Sequence, residues 1–482
     1  MVILAIDQGT TSTRALRVET QGPDAGCGNI VNALEHRQIY PAPGWVEHNP
    51  LELLANVRAC IRAAIDLGEP ITALGVDNQG ESCLAWDRKT KEPISPVIVW
   101  QDNRTLETIA RLKDQGKESL VTARAGLPLD PYFSAAKLAW ILENIPRAGE
   151  LHRQGRLCLG TTDAFFLDHL TGRCVTDIST ASRTSLMNLT TGQWDPVLCD
   201  LFQVPMETLP EIVPTTHDFG SLNLDGREIP VTASVVDQQA ALFGHGCARP
   251  GDAKITFGTG AFALAVTPGL DPALLDPATS RGLLPTVAWQ RGSGPVEYAL
   301  DGGVSSAASA VNWARSLGLF KEFDQINTFE GPCAVAQDLV FVPALNGLGC
   351  PHWDRSAAGT WLGLSLDTTP LAMVRSLLEG IAFRTAEVVN AMTAFTPVGE
   401  RISIDGGLSA NSYFCHFLAD VLQKEIQVKT TGELTAFGTA RLAGAPLPAK
   451  DADLRCISPT RDLSGFAEKY AQAVERSRNW KG

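Results

Sequence analysis

Two stretches of this chain, about half its length apart, ask for the same local structure, and that repetition constrains the fold more than any single motif. The apolar run Val2-Ile3-Leu4-Ala5-Ile6 reads as a buried strand. Asp7-Gln8-Gly9-Thr10-Thr11 follows as a turn whose glycine lets backbone N–H groups converge on an anion. Ser12 to Val18 resumes as a second strand. DAKITFGTGAFALAV, residues 252–266, repeats the device with the turn Gly258-Thr259-Gly260. One such unit alone reads equally well as a hairpin with a polar tip. Two, each near the start of a half-chain, predict a duplicated α/β fold with a nucleotide in the cleft between the halves. The change of character at Ala248-Arg249-Pro250-Gly251 places the boundary, giving domains 1–247 and 248–482.

The remaining punctuation supports an open α/β architecture. Asn49-Pro50 opens a helix expected over 51–67. Residues 71–87 are a strand ending in the polar cluster Asp77 to Ser82, then a second strand, and 96–105 are a buried strand opening into Trp100-Gln101-Asp102-Asn103-Arg104. In 229–246 the run Val231 to Val236 is strand-like, Asp237 sits at its carboxyl end, and Gln238 to Phe243 begins a helix. Polar groups at such strand ends are where open α/β sheets hold ligands. Residues 298–317 read as strand, glycine turn and helix, and 370–395 as one long amphipathic helix. In 401–422 the Asp405-Gly406-Gly407 turn between strand and helix lets a purine and its ribose approach the backbone closely. The charged helix after Ser464 is expected to be peripheral.

Composition excludes several partner classes. With a net charge of -13 and no lysine-arginine run, the chain lacks the basic patch that phosphate-backbone binding needs, so no nucleic acid is expected. The eleven cysteines include no C-x-x-C pair, which fits reduced thiols in a cytoplasmic setting. No apolar run reaches membrane-spanning length, and no membrane insertion is expected. The familiar phosphate loops are absent, because no G-x-x-x-x-G-K-[ST] occurs and Gly258-Thr259-Gly260 is not completed to G-x-G-x-x-G. Neither a G-x-S-x-G elbow nor H-E-x-x-H is found.

Taken together, the motifs DQGTTSTRA, YPAPGWVEHNP, NQGES, VIVWQDNRT, DPYFSAAK, ASRTSLMN, DQQAALFG, FGTGAF, GLGCPHWD and DGGLSAN resemble the FGGY family of carbohydrate kinases, and within it the glycerol kinases. They run in family order from residue 7 to about 444. The resemblance implies two actin-like (ribonuclease H-like) α/β ATPase domains closing over ATP and a small polyhydroxy substrate. Carried over by position, Asp237 matches the catalytic base, which takes the proton from the attacking hydroxyl, and Asp7 matches the carboxylate linked to Mg²⁺. Thr10, Thr11, Ser12 and Arg14 match one phosphate loop, and Gly258, Thr259 and Gly260 the other. Gly407 and Asn411 match adenosine contacts. Ala308 and Asn312 stand where the family has a glycine and a glutamine. A homo-oligomer is expected from the family's habit.

On the substrate side Glu81, Trp100, Tyr132, Gln238 and Phe262 match residues surrounding glycerol. The glycerol kinase pattern Asn-Gln-Arg-Glu is Asn78-Gln79-Gly80-Glu81 here, so the arginine that would clamp glycerol is a glycine. A guanidinium offers five donors in a fixed fork; Gly80 offers none and opens space. The leading expectation is therefore an ATP-dependent kinase of a small polyol longer than glycerol, such as a tetritol or pentitol. Three alternatives stay open: a glycerol kinase with the lost arginine replaced from elsewhere, a ketose kinase, and a non-catalytic sugar or nucleotide sensor on the same fold.

Overall fold

The computed structural model describes residues 1–224, 226–429, 432–448 and 454–481. The first hairpin forms as its sequence asks, β1 (Val2–Gln8) pairing antiparallel with β2 (Ser12–Glu19) and Asp7 opposite Arg14. β3 (Gly28–Glu35) lies antiparallel to β2. On the other side of β1 lie β4 (Ile71–Asn78) and then β6 (Arg227–Val236), both parallel to it in direction, and β5 (Ser221–Leu224) closes the edge. The six-stranded order is β5-β6-β4-β1-β2-β3.

The second sheet repeats this plan. β7 (Ala253–Phe257) and β8 (Ala261–Val266) form the hairpin, and β10 (Val296–Val304) is antiparallel to β8. β11 (Arg401–Asp405) and β12 (Glu425–Lys429) are parallel to β7. With β9 (Leu284–Gln290) and β13 (Leu454–Ile457) at the edges, the seven-stranded order is β9-β10-β8-β7-β11-β12-β13. Each sheet thus carries a hairpin, an antiparallel third strand and two parallel strands in matching order.

Helices bury the faces of both sheets. α1 (Pro50–Asp66), capped by the Asn49 side chain accepting from the Leu51 N–H, packs Leu53, Val57 and Ile61 onto Leu4, Ile6 and Val76 of the first sheet. α2 (Asp237–Gly244) crosses α6 (Leu434–Leu442) against the opposite face, where Ile3, Ala5, Val235, Ala240, Ala436 and Ala440 form one apolar cluster. The crossing is backbone on backbone. A Cβ on Gly244 would lie 1.9 Å from the Leu434 carbonyl oxygen, and one on Gly438 would lie 1.8 Å from that of Ala240. α6 therefore belongs by sequence to the second half yet covers the first sheet, and α2 also meets the second sheet through Leu242 and Leu264.

Three expectations need correction. Gly302-Gly303 is not a turn but the end of β10, and the chain turns only before α3 (Ala308–Ser316). A Cβ on Gly302 would meet Val388 Cγ1 at 2.6 Å, so that glycine admits α4 (Pro370–Thr393) against the strand. The strand before Trp100 is short, Val97–Ile98, because it serves only as a link in a small four-stranded sheet. The C-terminal helix α7 (Ala467–Ser477) is not peripheral: Tyr470, Ala473 and Val474 enter the core of the second half, and the Tyr470 hydroxyl donates to the Gly380 carbonyl at 3.0 Å. Among the described residues no helix is long and apolar enough to cross a membrane.

Candidate active site

The carboxyl ends of β1, β4 and β6 lie side by side, and each has an aspartate within one residue of its last position. Asp7 and Asp77 are register partners on adjacent strands, and Asp237 follows β6 as the first residue of α2. Burial raises the Asp237 carboxyl to about 7, helped by the negative charges of Glu81 and Asp7, while the Gln238 backbone N–H and Lys254 oppose the shift. The same desolvation raises Asp7, and it raises Asp77 well above the carboxylate range with the Asp7 charge adding to it. Thr439 Oγ1, brought across by α6, donates to Asp77 Oδ2 at 2.6 Å, while Asp77 Oδ1 is buried without a hydrogen-bond partner among the described residues.

Next to Asp237 is a cavity of about 120 Å³. Gly80, Glu81, Trp100, Tyr132, Gln238 and Phe262, read from the sequence as substrate-side positions, all line it together with Asp237. Their supports are local and specific. Glu81 has φ 58°, an unusual conformation for a residue with a side chain, and Ser134 Oγ donates to its carbonyl at 2.9 Å. The fully buried Lys137 ammonium donates to the carbonyls of Tyr132 at 2.6 Å and Trp100 at 3.3 Å, and burial lowers its pKa to about 8. Those two bonds pin both aromatic residues, whose rings meet edge to face at 5.6 Å. Trp100 Nε1 donates to Thr10 Oγ1 at 3.0 Å, tying the wall of the cavity to the turn between β1 and β2.

The space at position 80 is narrower than the sequence implies. A Cβ there would lie 3.0 Å from Val236 Cγ1, so the wall opposite the glycine is close. A guanidinium nevertheless reaches the cavity from another segment. Arg183 Nε donates to Glu81 Oε1 at 2.6 Å, and Nη2 lies 3.0 Å from Asp301 Oδ2.

The nucleotide-side positions are distributed differently. Thr10 lines the small cavity, and its carbonyl accepts from His36 Nε2 and Gln38 Nε2. Thr11 is exposed, Ser12 opens β2, and Arg14 is paired to Glu433 at 2.6 Å. Thr259 and Gly260 line a second chamber of about 390 Å³ between the halves. The Gly258 and Thr259 carbonyls accept from Ala308 N–H and Ser309 N–H, which docks this turn on the start of α3. Asn312 is exposed on that helix. Position 406 takes glycine on two counts, a φ of 87° and a Cβ that would lie 2.3 Å from the Phe257 carbonyl oxygen, whereas Gly407 faces open space. Asn411, expected at the adenosine, is held by bonds within the chain. It is buried, its Oδ1 caps α5 (Ser412–Leu422) at Phe414 N–H, and its Nδ2 donates to the Ile326 carbonyl.

Several site groups escaped the sequence reading. Arg183 lay inside a quoted motif, but nothing in its spacing links it to Asp301 more than a hundred residues on. Lys254 carried a signal, a lone cation in an apolar strand with Thr256 on the same face: its Nζ donates to Gln238 Oε1 at 2.7 Å and to Thr256 Oγ1 at 2.9 Å. Asp77 showed only as a polar strand end. The carboxylates fit a hard divalent cation in kind. Among the described residues no group of three or more His, Cys, Asp or Glu side chains is close enough to enclose a metal by itself.

Comparison with known proteins gives matching results. Models of the N-terminal and C-terminal domains of the FGGY family of carbohydrate kinases match residues 2–244 and 253–446. A glycerol kinase of Trichlorobacter lovleyi is 40% identical over 502 aligned residues, covering 99% of each chain. A glycerol kinase of Haloferax volcanii is 40% identical over 461, covering 91% of this chain and 88% of its own. Among solved structures, the Plasmodium falciparum glycerol kinase with ADP superposes with a TM-score of 0.89 at 30% identity, covering 99% of this chain and 98% of its own. A xylulose kinase from Lactobacillus acidophilus shares the fold, with a TM-score of 0.83 at 21% identity over 99% of this chain and 96% of its own.

Proposed function

The chain belongs to the FGGY family of carbohydrate kinases and is an ATP-dependent kinase of a small polyol or sugar, and from that premise we propose how its own residues carry the reaction. Asp237 is the general base. Its carboxyl lines the small cavity and titrates near neutrality, which matches a base that must take a proton at the working pH. In phosphoryl transfer the protein mainly positions reactants and stabilises charge. Glu81, Tyr132 and Gln238 hold substrate hydroxyls, while Trp100 and Phe262 pack on its carbons.

ATP lies with its phosphates between the turns Thr10-Thr11-Ser12 and Gly258-Thr259-Gly260, and its adenosine by Gly407, Ala308 and Asn312. Asp7, with Asp77 beside it, holds Mg²⁺; the cation supplies charge neutralisation at the phosphoryl oxygens. Residues 1–247 and 248–482 act as the two closing domains, and closure excludes water. Arg14 joins the phosphates only by leaving Glu433.

The observation that carries this reading is the placement of Asp237 beside the polyol-sized cavity, with the six substrate-side positions of the motifs around it. The substrate is longer than glycerol, because Gly80 leaves its arginine fork out of the wall. A panel of polyols and ketoses assayed with Mg-ATP tests this: tetritols or pentitols are expected to surpass glycerol in kcat/KM, and glycerol far ahead of every longer alcohol would refute it. A second reading, glycerol itself, is supported by the relatives named above and by Arg183, which brings a guanidinium to the same cavity.

A further inference from the structure

Trp100, Tyr132, Arg183, Phe262 and Asp301 line both the small cavity and the larger chamber beside it. Asp237 lines only the small one. A substrate hydroxyl held at Asp237 therefore directs the rest of its carbon chain toward this junction. Three of the junction residues are aromatic and supply apolar walls; Arg183 and Asp301 supply the polarity.

That pair is not self-sufficient. The Arg183 side chain is 4% exposed, uses Nε on Glu81 and Nη2 on Asp301, and leaves Nη1 buried without a hydrogen-bond partner among the described residues. An unmet buried donor on a charged group is costly, so a ligand that satisfies it is favoured. Asp301 meets Arg183 through one oxygen, and a carboxylate has roughly four acceptor positions, so capacity remains. A donor and an acceptor side by side complement a neutral hydroxyl or vicinal diol. An anion there would face Asp301 and Glu81, and an amine would face Arg183.

We infer that Arg183 and Asp301 form a second polyol subsite that binds the hydroxyl at the substrate end remote from the one phosphorylated. The inference rests on the polyol kinase reading and narrows it to acyclic polyols of four or more carbons. Arg183 comes from the first family-model region and Asp301 from the second, so the subsite exists only while the halves are together.

The test compares a tetritol with butane-1,2,3-triol, which has the same carbon chain without one terminal hydroxyl, by kcat/KM with saturating Mg-ATP. The wild-type enzyme is expected to prefer the tetritol by about tenfold or more, since a site built for a hydroxyl rejects the analogue that lacks it. Asp301→Asn keeps the shape but replaces one acceptor with a donor, and is expected to collapse the preference to within about threefold, with Asp301→Glu restoring part of it. If Asp301→Asn slows both alcohols equally and the preference survives, Asp301 is a structural partner of Arg183 and the subsite is refuted. Absence of any preference in the wild type refutes it whatever the variants do. Failure of the underlying kinase reading looks different, as the wild type would then phosphorylate neither alcohol, and the subsite falls with it.

Discussion

Lys254 Nζ donates to Gln238 Oε1 at 2.7 Å inside the cleft, and this fixes which way the glutamine amide faces. An ammonium has three donors and no acceptor, so only the amide oxygen can turn toward it, leaving the Nε2 donors for the cavity. The next strand residue on the same face, Thr256, takes a second Lys254 donor at 2.9 Å. Lys254→Met is expected to let the amide turn, raising KM for the polyol by about 10–100-fold, the value of a hydrogen bond to a charged group. The KM for ATP should change much less. Steady-state kinetics with each substrate varied in turn checks this, and equal movement of both constants would mean that the lysine supports the cleft generally.

Asp237 sets the pH dependence. With its carboxyl pushed up to about 7, kcat/KM for the polyol should rise about tenfold per pH unit below 7 and level off above it. A profile flat from pH 5 to 8 would remove Asp237 as the titrating base.

The same shift has a stability consequence. A folded pKa above the ordinary value of 3.8 favours the protonated native state. That contribution is fully present below about 3.8 and is lost as the pH rises through 7, where ionising the buried group costs the fold. Asp237→Asn should therefore lose about 10²–10⁴ in rate yet be more stable than wild type at pH 8, by up to about 4 kcal/mol. The gap should shrink toward pH 4, as thermal melts at both pH values would show.

Gly80 faces Val236 Cγ1 across a gap that an added Cβ would close to 3.0 Å. Gly80→Ala should fold with a small adjustment of the valine and reduce the room beside Glu81. Its kcat/KM is expected to fall about tenfold more for a pentitol than for glycerol, the scale of one methyl group in a fitted pocket. Equal losses would show that the substrate chain does not pass this residue.

The crossing of α2 and α6 depends on glycine. Gly438→Ala gains up to about 1 kcal/mol of helix propensity but sets a methyl 1.8 Å from the Ala240 carbonyl, where backbone would have to move. The second effect wins, and a net loss of about 1–3 kcal/mol is expected in urea unfolding. A more stable variant would show that the two helices separate freely.

The repeated units, and which residues gather at one cavity, were legible in the chain alone. Alternating apolar runs and small-residue turns define both hairpins, and the residues that end β1 and β6 were legible because a polar group breaks each apolar run at its carboxyl end. Motif order placed Glu81, Trp100, Tyr132, Asp237, Gln238 and Phe262, which do line one cavity. Gly302-Gly303 misled, because a glycine that admits a neighbouring helix and a glycine that makes a turn look alike in sequence.

Which distant side chains meet had to come from the folded molecule. Periodicity and turn chemistry are local, whereas Arg183 reaching Asp301, Lys254 reaching Gln238, and Thr439 reaching Asp77 join segments whose separation along the chain carries no signal. The arginine missing at position 80 was read correctly from sequence. That a guanidinium reaches the same cavity from Arg183 follows only from the tertiary contact of Arg183 with Glu81, about a hundred residues earlier in the chain.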